Sequence, residues 1–197
     1  VNGDQKKDLI ISSGGYQFTD GDTLLEDRLY VGNGMGMFGL VTNAMPEEAS
    51  NSGRVVAHDI DEDGDLDLLI CGDAYPKKYP YAGHTKIYMN EKGYFRDRTS
   101  TVAPQLERIG IVKDAVFTDV DLDGDDDIIV VGEWMSIEIF ENTSGTFVKK
   151  NDNLNLNGWW TAIKSADLDG DGDEDYVIGN AGINNKYKPS RSYPLEI

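Results

Sequence analysis

Three stretches of alternating aspartates place the strongest constraint on this chain. Each has the form D-x-D-x-D-G-x-x-D, and they begin at Asp59, Asp119 and Asp167. Carboxylates at positions 1, 3, 5 and 9 suit a hard cation with flexible coordination such as Ca²⁺, and the glycine at position 6 allows a sharp turn. The sequence therefore predicts about three Ca²⁺ sites. Their role would be structural, because the metal would offset charge repulsion in each loop and join the segments on both sides.

The candidate metal ligands are all the aspartates of these loops: Asp59, Asp61, Asp63, Asp65, Asp67, Asp119, Asp121, Asp123, Asp125, Asp127, Asp167, Asp169, Asp171, Asp173 and Asp175. The chain also opens on a vestigial copy of the pattern, formed by Asn2, Asp4 and Asp8. If a loop starts just before Val1, the repeat lengths are 59, 60 and 48 residues, which are typical of four-stranded propeller blades. We expect the chain to be cut from a longer protein.

The segments around the loops exclude an EF-hand. An EF-hand needs a bidentate glutamate at position 12 and a helix on each side, but position 12 is Ile70, Val130 or Ile178. The flanking segments are short runs rich in β-branched residues and bounded by glycine and polar residues, which is typical of strands. Each loop is therefore predicted to join two strands, and the fold is predicted to be all-β.

At this point the sequence resembles the FG-GAP repeats, also called VCBS repeats, of calcium-binding β-propellers such as the integrin α head. Besides the loops, each repeat has a later G-x-F, at Gly36-Met-Phe38, Gly93-Tyr-Phe95 and Gly145-Thr-Phe147. Further stretches resemble secreted, ASPIC/UnbV-associated members of the cartilage-acidic-protein type, among them Asp27-Arg-Leu-Tyr30 and Gly158-Trp159-Trp160. The resemblance implies a propeller whose calcium loops join strands A and B of each blade.

The repeats divide the chain into about three and a half blades. We expect an incomplete first blade with strands B to D (1–50), two complete blades (51–108 and 109–157) and an incomplete last blade (158–197). Propellers close with roughly four to eight blades. The chain is therefore expected to form an arc of a larger ring, and self-association that completes the ring is the alternative.

Strand order places the calcium loops on one rim of the arc and the longer connections on the other. The longer connections are rich in aromatic residues, as ligand faces on rigid scaffolds often are. The candidate ligand-binding residues on that rim are Tyr75, Tyr79, Tyr81, His84, Trp134, Trp159, Trp160 and Tyr187.

Composition limits the partners. The net charge is -18, and three bound Ca²⁺ would still leave -12, so we expect no nucleic-acid binding. The sequence contains no run of 18 apolar residues, so no transmembrane helix is predicted. Loops this acidic suit a compartment with millimolar calcium, which favours an exported protein that is extracellular, periplasmic or on the cell surface. The single cysteine, Cys71, is expected to be a small buried hydrophobic residue.

Two function classes follow. The first is a non-catalytic module that binds a glycan or an extracellular protein through the aromatic rim, since the chain has no Ser-His-Asp pattern, nucleophile elbow, H-E-x-x-H or phosphate loop. The alternative is a glycan-processing enzyme, because some polysaccharide lyases resemble this fold. A lyase needs a base and a cation; the candidates are His84, Tyr79 or Tyr81 as the base and Lys77, Lys78 or Arg191 as the cation. We expect no enzyme, and a cluster of such groups on the rim would favour the lyase.

Overall fold

The computed structural model describes residues 1–151 and 156–182, and within them the chain is all-β, as predicted. Its thirteen strands are β1 (Leu9–Ile11), β2 (Arg28–Gly32), β3 (Phe38–Val41), β4 (Ser52–His58), β5 (Asp67–Gly72), β6 (Lys86–Glu91), β7 (Tyr94–Asp97), β8 (Ile111–Thr118), β9 (Asp127–Met135), β10 (Glu138–Asn142), β11 (Phe147–Lys149), β12 (Gly158–Ala166) and β13 (Asp175–Asn180). A 3₁₀ turn (Thr23–Leu25) and the short helix α1 (Thr99–Val102) complete the elements. In the part of the chain that the structure describes, neither is long and apolar enough to cross a membrane.

The strands form three antiparallel sheets, and one of them, the six-stranded sheet, contains two of the four repeat units. Unit 1 contains β1 to β3, unit 2 contains β4 to β7, unit 3 contains β8 to β11, and unit 4 is the β12–β13 pair. In unit 2 the spatial order equals the sequence order, which is the up-and-down arrangement expected of a blade. Each aspartate stretch joins the first two strands of its unit, as the flanking sequences predict.

The first strand of units 2, 3 and 4 is irregular at the same place. The pairing register shifts between Ser52 and Val55, between Val112 and Asp114, and between Trp160 and Ala162. Such bulges bend a strand and re-aim its side chains. The bulge in β8 lies next to Asp114, whose carboxylate contacts both neighbouring units.

Units 3 and 4 are joined more closely than the repeat pattern indicates. From the sequence, the second strand of unit 3 is predicted to end near residue 132, with Trp134 on a tight turn. The observed strand β9 instead continues to Met135. Trp134 has a left-handed φ of 61° within that strand. The end of β9 then pairs with β12 through Met135 and Gly158, so the two units share hydrogen bonds.

The apolar core lies between the units. After each aspartate stretch, alternate residues of the second strand face opposite neighbours: Leu68 and Ile70 pack in the cluster that includes Leu29 of unit 1. Leu69 and Cys71 pack in the cluster that includes Val130 of unit 3. Cys71 is fully buried, as predicted.

The two ends of the row of units expose the positions that are buried between units. Leu9 and Ile11 of β1 are 42% and 38% exposed, although the corresponding Leu68 and Ile70 of β5 are buried. At the other end, Val177 of β13 is 59% exposed, whereas the corresponding Leu69 is buried. Both end faces are therefore apolar sheet faces that the described residues leave uncovered.

Gly132 allows β8 and β9 to approach closely, and its replacement by alanine is expected to destabilise the fold. A Cβ at this position would lie 1.9 Å from the carbonyl oxygen of Ile111, so the backbone must move. We expect Gly132→Ala to lower the free energy of unfolding by about 1–3 kcal/mol, measured by denaturant unfolding. Gly39→Ala in β3 is the matched control, because a Cβ there meets nothing within 4 Å. Equal effects of the two substitutions would contradict this reading.

Asp27 is expected to make stability depend on pH. Its burial raises the pKa of the carboxyl group above the usual range, although hydrogen bonds from the Ser13 N–H (2.8 Å) and the Ser52 hydroxyl (2.9 Å) oppose the rise. Its favourable contribution is therefore complete below the unfolded pKa of about 3.9 and is lost as pH rises through the folded pKa. Asparagine carries no charge at any of these pH values. The melting temperature of Asp27→Asn relative to wild type should therefore be higher at neutral pH than in acid, and the opposite trend would contradict this assignment.

Candidate functional site

The structure brings together three aspartates in each of the loops, namely those at positions 1, 3 and 9. In each group, one carboxylate oxygen from each residue lies within 4.8 Å of the other two, and each group could hold a metal ion. The three groups are Asp59, Asp61 and Asp67; Asp119, Asp121 and Asp127; and Asp167, Asp169 and Asp175. One arrangement is therefore repeated at the same place in units 2, 3 and 4.

Backbone hydrogen bonds hold each group in position. In the first loop, Asp59 Oδ2 accepts a hydrogen bond from the N–H of Gly64 at 3.0 Å, which fixes the sharp turn. Asp67 accepts from the N–H of Ile60 at 2.9 Å and from the N–H of Asn90 in the third strand at 2.7 Å. The second loop repeats this pattern through Asp119 and Asp127.

One oxygen of the first group is buried without a hydrogen-bond donor. Asp59 Oδ1 has no partner among the described residues. A buried carboxylate oxygen without a partner is costly, and a bound cation would supply what is missing. The oxygen-only donor set is the set that Ca²⁺ prefers, so the residues present fit that ion.

Positions 5 and 7 do not belong to the convergent groups. The aspartates at position 5 instead accept hydrogen bonds from the backbone N–H at position 7, as Asp63 does from Asp65 at 2.9 Å. The same bond is made in the other two loops by Asp123 and Asp171. The candidates at position 7 are Asp65, Asp125 and Asp173. Of the five aspartates predicted as ligands in each loop, the structure thus brings together the three at positions 1, 3 and 9.

The vestigial loop does not form such a group in the described residues. Asn2 accepts a hydrogen bond from the N–H of Asp4. Asp8 accepts from the N–H of Gly32 at 2.9 Å and lies 2.9 Å from the amino group of Val1. Asp8 therefore connects the amino group of Val1 to β2.

Electrostatics in the loops favours a positive ion. Burial raises the pKa of Asp67, and the nearby charges of Asp61 and Asp63 add to the rise, while hydrogen bonds from Asn90 and Ile60 oppose it. The pKa of Asp127 is raised in the same way. The pKa of Asp173 is raised chiefly by the charge of Asp171. Like charges crowd each loop, and a cation would relieve the repulsion.

On the opposite rim, a polar network connects three units. Tyr16 donates to Asp73 Oδ1 at 3.0 Å. Lys113 lies 3.1 Å from Asp73 and 3.3 Å from Glu133, so one ammonium group bridges two carboxylates. Tyr79 donates to Glu133 Oε2 at 2.9 Å. We call the set of Tyr79, Trp134, Trp159, Glu133, Asp73 and Lys113 the rim cluster.

Aromatic rings form the outer part of the rim cluster. The indole N–H of Trp134 donates to the hydroxyl of Tyr79. The rings of Trp134 and Trp159 are 4.7 Å apart between centroids and inclined at 40°. Both indoles are half-buried, and Tyr79 is 45% exposed. Three predicted ligand residues from three separate segments of the chain, Tyr79, Trp134 and Trp159, are therefore in contact.

A second group lies in the loop after β5. The Tyr75 hydroxyl and His84 Nε2 are 3.1 Å apart, and His84 Nδ1 is 3.5 Å from Glu107. The Lys78 ammonium lies 5.6 Å from the centre of the Tyr75 ring.

The remaining predicted ligand residues are Tyr81, Trp160 and Tyr187. The backbone of Tyr81 is hydrogen-bonded to Tyr75 and Lys78 of the second group. Tyr81 is exposed. Trp160 donates its indole N–H to the carbonyl of Leu156 at 3.0 Å and packs against the core of units 3 and 4, so it is a packing residue. Tyr187, with Lys186, Lys188 and Arg191, lies outside the described residues.

The pKa shifts in the rim cluster indicate a negative local field. Partial burial lowers the pKa of Lys113, but the carboxylates of Asp73 and Glu133 outweigh it and the net shift is upward. Burial raises the pKa of Tyr16 well above its usual range, and the charges of Asp73 and Glu133 add to the rise. Both shifts favour positive charge and disfavour negative charge at this place.

Sequence reasoning missed the charged half of the rim cluster. Asp73 and Glu133 each follow a glycine and each lie 14 residues after the start of an aspartate loop. That repeated Gly-Asp and Gly-Glu pair is a signal that could have found them. No comparable signal marks Lys113, whose role depends on how units 2 and 3 pack.

Comparison with known sequences agrees with the repeat pattern. A sequence model of the FG-GAP-like repeat matches residues 1–70 and 119–178, which is more than half of the chain. The matched segments contain all three aspartate loops. No curated protein matches the chain.

Proposed function

Because the chain belongs to the FG-GAP-like repeat family, we propose that it is a non-catalytic, calcium-binding module of an exported β-propeller protein. The observation that carries the calcium assignment is the convergence of positions 1, 3 and 9 in three loops. The unpartnered Oδ1 of Asp59 supports it. A bound Ca²⁺ would supply positive charge that ties the first two strands of each unit together.

The open end faces support the propeller arrangement. Leu9, Ile11 and Val177 are exposed at positions that are buried between units elsewhere, so a further blade would cover them on each side. In this proposal the chain is an arc of a larger ring. The alternative is that a second copy of the chain covers these end faces and completes the ring. The same proposal includes that the protein is secreted and is a member of the cartilage-acidic-protein type.

The ligand surface in this proposal is the rim opposite the carboxylate loops, and the ligand is a glycan or an extracellular protein. The absence of catalysis is proposed because two candidate bases are engaged by neighbouring side chains. Tyr79 donates to Glu133. His84 lies 3.1 Å from the Tyr75 hydroxyl and 3.5 Å from Glu107. The contact between Tyr75 and His84 is the observation that favours the lyase alternative, because a paired imidazole can act as a base.

A glycan panel tests this function. The full chain is incubated with neutral, amino-sugar and uronate oligosaccharides in millimolar calcium and again in chelator, and bound glycan and unsaturated uronate product are measured together. We expect retention of a glycan in calcium without product. Formation of product that is lost in His84→Ala would replace the proposal with the lyase. Absence of both signals would exclude a glycan and leave the protein ligand.

A further inference from the structure

We propose that Asn90 and Asn142 are positioning residues for the calcium loops of units 2 and 3, and that each one ties its loop to the hairpin between the third and fourth strands of the same unit. This inference rests on the proposed function as a calcium-binding module. It names residues outside the aspartate stretches on which the affinity for the ion depends.

Asn90 is attached both to the loop of unit 2 and to the hairpin that follows β6. Its backbone N–H donates to Asp67 Oδ1 at 2.7 Å, and its side-chain amide donates to the carbonyl of Leu66 at 3.1 Å. Its Oδ1 accepts a hydrogen bond from the N–H of Gly93 at 2.7 Å. Asn90 is only 5% exposed. One buried residue therefore holds the carboxylate at position 9, the carbonyl at position 8 and the hairpin.

Asn142 repeats this arrangement in unit 3. Its backbone N–H donates to Asp127 Oδ1 at 2.7 Å, and its side-chain amide donates to the carbonyl of Asp126 at 3.2 Å. Its Oδ1 accepts from the N–H of Gly145 at 2.8 Å. Gly93 and Gly145 are the glycines of the G-x-F motif, so the motif connects the hairpin to the calcium loop.

Unit 1 lacks this connection, and in the described residues its vestigial loop forms no carboxylate group. Gly32 stands at the position of the asparagine, because its N–H donates to Asp8 Oδ1 at 2.9 Å and it pairs with Phe38 of the motif. A Cβ at Gly32 would lie 2.1 Å from the carbonyl oxygen of Lys7, so the site has no room for a side chain. The residues that follow β13 in unit 4 lie outside the described part of the chain.

The sequence pattern alone does not separate unit 1 from the other two. N-x-x-G-x-F begins at Asn33, Asn90 and Asn142. In unit 1 the pattern is shifted by one residue relative to the strands, and Asn33 Oδ1 accepts from the N–H groups of Met35 and Met37 within its own hairpin, at 2.8 and 3.2 Å. Asn33 therefore serves as an internal comparison for the other two asparagines.

The asparagine affects the ion because it orders a ligand before the ion binds. Both oxygens of Asp67 accept a backbone N–H, Oδ1 from Asn90 and Oδ2 from Ile60 at 2.9 Å, which fixes the orientation of the carboxylate. Groups that hold metal ligands in this way typically contribute about 10- to 100-fold to metal affinity. Without the asparagine side chain, the ion itself would have to order position 9.

A calcium titration of the full chain, followed by NMR, tests the proposal. The reporters are the amides of Gly64, Gly124 and Gly172, one in each loop, because each donates to the aspartate at position 1. We expect Asn142→Ala to raise the dissociation constant reported by Gly124 at least about tenfold and to leave the other two within about twofold. A general loss of stability would instead shift the three constants together.

Asn33→Ala is the matched control, because its side chain belongs to the same sequence pattern but bonds its own hairpin. It should leave all three constants unchanged. Asn90→Ala should act on the constant reported by Gly64, although it also removes a hydrogen bond to the carbonyl of Val1. Unchanged constants in Asn90→Ala and Asn142→Ala, a parallel shift of all three reporters, or an equal effect of Asn33→Ala would overturn the inference.

Hydrogen exchange of the wild-type chain tests the coupling without a variant. Coupling between two events is reciprocal, so a hairpin that raises calcium affinity is itself stabilised by calcium. Calcium should slow exchange of the Gly93 and Gly145 amides at least about tenfold, and that of the Met35 amide in the hairpin of unit 1 by less than about threefold. An equal change at Met35 would indicate a global effect and overturn the coupling.

The wild-type titration distinguishes this inference from the proposed function. If no loop reporter responds to calcium in the wild-type chain, the assignment of the loops as calcium sites is wrong, and the inference is overturned with it. If the wild type binds calcium and both asparagine variants bind it equally well, the calcium-binding module stands and only the positioning role is overturned.

Discussion

Removal of calcium is expected to lower the melting temperature of this chain by roughly 15–30 °C. A site filled a hundredfold above its dissociation constant stabilises the fold by about 2.7 kcal/mol, so three sites contribute about 8 kcal/mol. A typical domain has a total stability of about 5–15 kcal/mol. Each kcal/mol corresponds to about 2–4 °C for a chain of this size. The measurement is calorimetric melting in millimolar calcium and in chelator.

Single-loop variants make this prediction specific to the convergent aspartates. Asp61→Ala removes one member of the first group and should abolish about a third of the calcium-dependent shift, because one of three sites is lost. Asp65→Ala in the same loop is the control, since Asp65 does not belong to the group. An unchanged melting temperature in chelator would contradict the assignment of the loops as calcium sites. Equal effects of the two variants would contradict the assignment of positions 1, 3 and 9 as the ligands.

The repeat pattern predicted the loops and strands well because both are local. The continuous apolar runs after Asp67, Asp127 and Asp175 predict the second strand of each unit, and the observed strands begin at those residues. The spacing of the aspartates does not determine which of them come together in the candidate metal group. That depends on the turn, in which position 4 is left-handed whether it is Glu62, Leu122 or Gly170.

Contacts between units could not be predicted from the sequence, because they depend on how the sheets pack. Lys113 and Asp73 are 40 residues apart, and Tyr79 and Glu133 are 54 apart. Nothing in either segment specifies the pairing. The extension of β9 through a left-handed Trp134 was missed for a related reason, since a bulky aromatic residue is rarely found in that conformation and a turn was the more ordinary expectation.

Asp114→Ala is expected to be among the most destabilising single substitutions outside the loops. The side chain is 2% exposed, and it accepts hydrogen bonds from the N–H of Ile163 in β12 and of Ala115 in β8. Its Oδ1 also lies 3.1 Å from the guanidinium of Arg54 in β4. One carboxylate therefore connects units 2, 3 and 4 where their first strands bulge.

The size of the effect follows from what alanine leaves behind. Each buried N–H without an acceptor costs about 1–3 kcal/mol, and Ile163 and Ala115 would both be left so. Arg54 is half-exposed and can be hydrated, so its loss adds little. We expect Asp114→Ala to lower the free energy of unfolding by about 2–5 kcal/mol, and Asp114→Asn, which keeps one acceptor oxygen, by less.

Denaturant unfolding in saturating calcium measures the loss. Glu138→Gln is the control, because it removes a single ion pair, that with Lys149 at 2.9 Å, and it is expected to cost at most about 1 kcal/mol. Hydrogen exchange adds a local readout. If Asp114 joins β12 to β8, the amide of Ile163 should lose protection in Asp114→Ala before the loops of unit 2 do, because the severed bond lies between units 3 and 4. Stability equal to that of Glu138→Gln, or an unchanged exchange rate at Ile163, would show that Asp114 does not hold these units together.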